Sequence, residues 1–132
     1  MTFDLLSSLR LLALGIVAIT IIDILGSVSS RKLNYKYVYG APVSLFVYCL
    51  IGYKGHHTTT LPWTLLIVCL VGIYDGTVGW WLSVVLKANF ADREERAKSV
   101  SRLSRIVSMM LISGFFGLIG FFIAGVLRIT RT

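Results

Sequence analysis

The feature that most constrains this chain is an apolar run over residues 61–86 that carries a single charge, Asp75. The hydrocarbon core of a bilayer is about 30 Å thick, and roughly 20 apolar residues in a helix cross it. The run is therefore long enough to span a membrane, and Asp75 falls near its middle. A carboxylate at that depth costs at least about 2.5–3.5 kcal/mol, and such side chains are usually paired, protonated or exposed to water. Asp75 is thus the first candidate functional residue.

The composition of the chain predicts a membrane protein. Of its 132 residues, 56% are hydrophobic and only 14% are charged, and the mean hydropathy is +0.82. A soluble domain of this length would need more polar surface. Apolar stretches cover residues 11–28, 37–53, 61–86 and 106–127. We therefore predict an all-α membrane protein in which four transmembrane helices form one compact bundle, a single domain over residues 1–132.

The positions of the basic residues predict an orientation in the membrane. Nine of the thirteen Lys and Arg residues lie in two loops, 29–36 and 87–105. Four crossings place both loops on the same side, and cytoplasmic loops are enriched in Lys and Arg. We expect these loops in the cytoplasm and both termini outside a cell membrane. The net charge of +7 then indicates contact with anionic lipid headgroups rather than with nucleic acid.

The segment before the fourth apolar stretch is predicted to be a short amphipathic extension of that helix. Asp92 can cap a helix, and Glu94 and Lys98 form an i, i+4 pair in the favourable order. We expect one helix from about Arg93 into the fourth span, with its first turns at the cytoplasmic face. An alternative is that this segment docks a cytoplasmic partner.

The first apolar stretch carries a polar stripe around a second acid, Asp23. Thr20, Asp23, Ser27 and Ser30 are spaced three, four and three residues apart, so they share one face of a helix. Such a face avoids lipid, because acyl chains offer no hydrogen-bond partners. One interpretation is the wall of a polar pathway. The other is local, with Asp23 bonded to Ser27 or to a neighbouring helix and never titrating.

Tyrosines mark the second apolar stretch. Tyr35, Tyr37 and Tyr39 cluster at its start, and amphipathic rings favour the headgroup layer, so we expect these residues to anchor the chain at the interface. Tyr48 lies deeper in the stretch. Its hydroxyl is a candidate hydrogen-bond donor to a buried carboxylate.

The third and fourth stretches each carry a stripe of small residues at the same four, three, four spacing. The residues are Gly72, Gly76, Gly79 and Ser83 in the third stretch, and Ser113, Gly117, Gly120 and Ala124 in the fourth. Small residues let membrane helices approach closely. The stripes predict a contact between helices three and four, or between copies of the chain.

The sequence contains no catalytic motif, so we expect no enzyme activity. It has no His-Glu-x-x-His, no Gly-x-Ser-x-Gly and no Cys-x-x-Cys. His56 and His57 are adjacent, but a metal site would need further ligands, and we expect neither a metal nor another cofactor. Cys49 and Cys69 fall at different depths of their stretches and are expected to be packing thiols.

Two functions from different classes remain. The first is an oligomeric transporter or channel linked to protons or cations. Its pathway residues would be Asp75, Asp23, Thr20, Ser27 and Tyr48. The second is a non-catalytic accessory, regulatory or immunity subunit of a larger membrane complex. In the first case the expected partner is another copy of the chain, and in the second a larger membrane protein that docks on the small-residue stripes.

Overall fold

The computed structural model describes residues 5–89 and 101–131. These residues form helices and short connections without any strand, which confirms the predicted all-α class. Helix α1 spans Leu5–Lys32, a short 3-10 turn covers Tyr37–Gly40, α2 spans Ala41–Thr58, α3 spans Leu61–Val85, and α4 spans Arg102–Thr130.

Three of the four predicted crossings are confirmed as helices long and apolar enough to span a membrane: α1, α3 and α4. Helix α2 has 18 residues and lies outside this group. Its last turns carry Lys54, His56 and His57, which shorten its apolar length. The helix also runs beyond residue 53, where the apolar stretch ends.

The start of α4 differs from the expectation of one continuous helix from Arg93. Ser101 has an extended backbone, with φ −59° and ψ 146°, and its Oγ accepts a hydrogen bond from Ser104 N at 3.1 Å. A serine in this conformation caps a helix, so α4 begins at Arg102 and the expected continuity is wrong at Ser101. Residues 93–100 of the proposed extension lie outside the described part of the chain.

The distribution of side chains is the reverse of that in a soluble protein. Helices α1 and α4 lie on opposite sides of the α2–α3 pair, and large apolar side chains such as Leu14, Leu25, Phe115 and Phe122 point outward. Buried positions include many polar residues: Asp23, Ser27, Ser30, Thr59, Thr64, Asp75, Ser83 and Ser113. An apolar exterior of this extent indicates a surface in contact with lipid or another protein.

The small residues of α4 lie between α2 and α3. A Cβ atom on Gly120 would clash with the carbonyl oxygen of Cys49 in α2, and a Cβ on Gly52 would clash with that of Gly117. On the α3 side, a Cβ on Gly117 would lie 2.8 Å from Val68. The close approach of backbones therefore joins α4 to α2 as well as to α3, whereas the stripe was predicted to meet helix three or another copy. Ala124 of the same stripe is also buried.

We expect Gly120→Ala to destabilise the bundle. Its new methyl group meets backbone atoms of α2, which cannot rotate away, and overpacking of this kind typically costs about 1–3 kcal/mol. Gly114→Ala in the same helix is the matched control, because its Cβ would lie 3.4 Å from Cys69 Sγ in an ordinary contact. Thermal unfolding in detergent should show a lower midpoint for Gly120→Ala alone. Equal midpoints for the two variants would contradict the α2–α4 contact.

Candidate polar site between the helices

The two membrane acids of the sequence meet at one site. Asp23 of α1 is 2% exposed and Asp75 of α3 is 8% exposed. A Cβ atom on Gly79 would clash with Asp23 Oδ2 and would lie 2.7 Å from Asp75 Oδ1. Both carboxyl oxygens are within 2.7 Å of the position that a Cβ atom of residue 79 would take. The two oxygens are therefore close neighbours. Glycine is required at position 79 because any side chain would occupy the space between the carboxyl groups.

A π-helical turn over Asp75–Gly79 positions this part of α3. A π turn rotates the chain less per residue than an α-helix, so it changes which face the following residues present. Before and within the turn, Gly72 and Gly76 pack against α4, at Ser113 and Met109. After it, Gly79 faces the acids instead. The predicted stripe of small residues is therefore divided between two neighbours.

Each acid receives a hydrogen bond from a tyrosine of the α2 region. Tyr48 OH donates to Asp75 Oδ2. Tyr37 OH donates to Asp23 Oδ1 at 2.9 Å and accepts from Ser83 Oγ at 2.8 Å. Tyrosine combines an apolar ring with a donor at its tip, which suits a carboxyl group buried among helices. The two tyrosines leave one oxygen of each acid facing the space beside Gly79.

One of these oxygens is unsatisfied. Asp23 Oδ2 is buried and has no hydrogen-bond partner among the residues that the structure describes. A buried polar atom without a partner is costly, and a buried charge more so. Two carboxylates at this separation also repel each other strongly where the dielectric constant is low. The pair therefore favours a bound proton or cation between the carboxyl groups.

The site opens onto a cavity of about 770 Å³ bounded by all four helices. Asp23, Asp75, Tyr37, Tyr48 and Ser83 contribute to its wall. The rest of the wall is largely apolar, apart from Lys36 and Arg105. In α2, the cavity-lining residues come before the contact residues Cys49 and Gly52. In α4, they come before the contact residues Gly117 and Gly120. Helices α2 and α4 thus touch at one end and leave the cavity between them towards the other.

The predicted pathway residues separate into two groups. Asp23, Asp75 and Tyr48 line the cavity together. Thr20 lies in the α1–α3 contact, where its Oγ1 is 2.8 Å from both Ile16 O and Tyr74 OH. Ser27 is fully buried on α1 and does not line the cavity. The polar stripe of α1 therefore meets α3 at Thr20 and Asp23, and it contributes only Asp23 to the cavity.

Sequence reasoning missed two contributors to the acid pair and two to the cavity. Tyr37, which is expected to anchor the chain at the headgroups, is half-buried, and its hydroxyl reaches Asp23 of α1. Ser83 was assigned to packing and instead donates to Tyr37. Arg105 and Trp80 line the cavity beside each other. The short connection from α1 to Tyr37 was the one available signal, because it keeps this tyrosine close to the end of α1.

Comparison of the chain with protein-family models, with characterised proteins and with solved structures gives no match.

We expect Tyr48→Phe to destabilise the protein by about 1–3 kcal/mol, because it removes the donor to a buried carboxyl group. Tyr39→Phe is the matched control, since Tyr39 is 69% exposed and surface changes of this size usually stay within about 0.5 kcal/mol. The free energy of unfolding, measured for both variants in the same detergent, should fall for Tyr48→Phe and not for Tyr39→Phe. If both variants match the wild type, Tyr48 does not support Asp75.

Proposed function

We propose that this chain is an oligomeric membrane transporter linked to protons or cations, with Asp23 and Asp75 as the coupling site. The observation that carries the proposal is Asp23 Oδ2, which has no hydrogen-bond partner within residues 5–89 and 101–131 and faces a second carboxyl group at the wall of a cavity. Most buried side-chain polar atoms in folded proteins have a hydrogen-bond partner, and an exception calls for an explanation. Ionisable groups inside membranes commonly mark substrate or proton paths.

In this mechanism, the pair of acids holds either protons or a positively charged group from the cavity. Repulsion between two charged carboxylates favours uptake of a proton when the cavity is empty. A cation that enters the cavity neutralises the same charge, so its binding releases the proton. Tyr48 and Tyr37 orient the two carboxyl groups through the hydrogen bonds they donate. Competition for one site links the movement of the two species.

The proposal places all four helices across the membrane. At about 1.5 Å per residue, the 18 residues of α2 extend roughly 27 Å, close to the thickness of the hydrocarbon core. Its polar end at His56 and His57 would then lie at the outer surface, on the same side as both termini. The basic loops 29–36 and 87–105 would face the cytoplasm. The outward apolar faces of α1 and α4 offer contact surfaces for further copies.

The accessory-subunit function is less well supported by the packing. That hypothesis used the small-residue stripes as docking surfaces for a larger partner. Gly72, Gly76, Gly117 and Gly120 contact helices of the same chain, which leaves these stripes no free surface. A pair of buried carboxyl groups at the wall of a cavity also has no role in the docking that this hypothesis requires.

A flux assay tests the proposed function. We expect purified protein in liposomes with a trapped pH dye to move protons when a gradient of Na⁺, K⁺ or an organic ammonium ion is imposed. Asp75→Asn should abolish this pH change by removing one of the two competing carboxylates, while thermal unfolding shows a folded protein. Ser108→Ala, at an exposed position of α4, is the control and should behave as wild type. Retained coupling in Asp75→Asn would disprove the mechanism.

A further inference from the structure

The cavity has a second charged pole besides the acids. Arg105 of α4 lines it, and its guanidinium carbon lies 4.4 Å from the centre of the Trp80 ring. Arg105 Nε is buried without a hydrogen-bond partner among the described residues. Lys36 also lines the cavity. A stacked guanidinium retains donors in its plane, so Arg105 can still bind an anionic group.

The two poles are set apart across the bundle. Asp23 lies on α1 and Arg105 on α4, and these two helices do not contact each other in the described part of the chain. Gly76 of α3, next to Asp75, lies between them, since its Cβ would be 3.3 Å from Met109 and 3.4 Å from Ile106 of α4. The positive pole is therefore on the α4 side of the cavity, across from Asp23.

Apolar side chains fill the wall around and between the poles. Leu45, Met109, Ile112 and Phe116 line the cavity, and its volume of about 770 Å³ is typical of sites for small organic molecules. A bare inorganic cation would use the acids and leave Arg105 and the apolar wall without a role. A simple lipophilic cation would leave a positively charged residue unsatisfied beside it.

The geometry points to a zwitterionic amphiphile as the substrate class: an ammonium group at Asp23 and Asp75, an apolar body, and a carboxylate or phosphate at Arg105. This inference rests on the proposed function, since it assigns the cation that competes with the proton. Charge-assisted hydrogen bonds at both ends would select this class over molecules that carry one charge. The spacing of the two poles would select by length.

Three probes of equal chain length test the inference: 8-aminooctanoate, octylamine and octanoate. Binding to the full-length protein in nanodiscs can be followed by tryptophan fluorescence, because Trp80 lines the cavity, and by calorimetry as an independent readout. We expect 8-aminooctanoate to bind about tenfold or more tightly than octylamine, from one added charge-assisted contact, and octanoate to bind weakest. Binding of 8-aminooctanoate should release protons.

Variants of Arg105 and Asp75 test the two charged groups of the cavity one at a time. Arg105→Gln should remove the preference by weakening the binding of 8-aminooctanoate without weakening that of octylamine, because it removes both the anionic subsite and a positive charge beside the amine. Arg105→Lys should restore part of the preference by restoring the charge. Asp75→Asn should weaken both amines. Thermal unfolding of each variant checks its fold.

The outcomes distinguish this inference from the proposed function. If the wild type binds octylamine as tightly as 8-aminooctanoate, or prefers octanoate, the zwitterion assignment is overturned, while cation-driven proton flux would still support the coupling site. If Arg105→Gln and Arg105→Lys both keep the full preference, Arg105 is not the anionic subsite and the assignment also fails. Absence of both probe binding and proton flux would overturn the two proposals together.

Discussion

The placement of two carboxyl groups against each other inside an apolar bundle is the constraint on which the rest of this structure depends. Among helices, neither water nor lipid compensates their charge, so the protein must supply donors, space and a counter-charge. Tyr48 and Tyr37 supply the donors. Gly79 supplies the space, because it has no side chain between the acids. In the proposed mechanism, the counter-charge is supplied by the proton or cation that enters the cavity.

The same bundle combines tight packing at one end with a cavity at the other. Backbone contacts at Gly52 and Gly120 hold α2 against α4. Beyond these contacts the two helices enclose the space into which Asp23 and Asp75 face. The π turn of α3 joins the two regions, since residues before it pack on α4 and Gly79 after it meets the acids.

Much of the fold could be predicted from hydropathy, because an apolar helix in a membrane has few alternatives. The acids were found for the same reason, since a charge in an apolar run stands out. The π turn could not be predicted: its sequence, Asp75–Gly79, fits an α-helical stripe, and only packing against α1 and α4 separates the two registers. The hydrogen bond from Tyr37 to Asp23 could not be predicted, because it joins two helical elements and depends on their tertiary packing. Ser101, by contrast, has the local chemistry of a cap, and that signal was overlooked in favour of the amphipathic pattern before it.

The most direct measurement of the central claim is infrared difference spectroscopy of the protein in lipid bilayers, in buffer that contains only large, impermeant cations. A carboxyl group that holds a proton has a carbonyl-stretch band that a carboxylate lacks. The account predicts one such band for the acid pair at neutral pH, shifted in Tyr48→Phe, absent in the Asp23→Asn, Asp75→Asn double variant, and lost from the wild type when a competing organic ammonium ion is added. A spectrum without this band, or a band that persists in the double variant, would contradict the account.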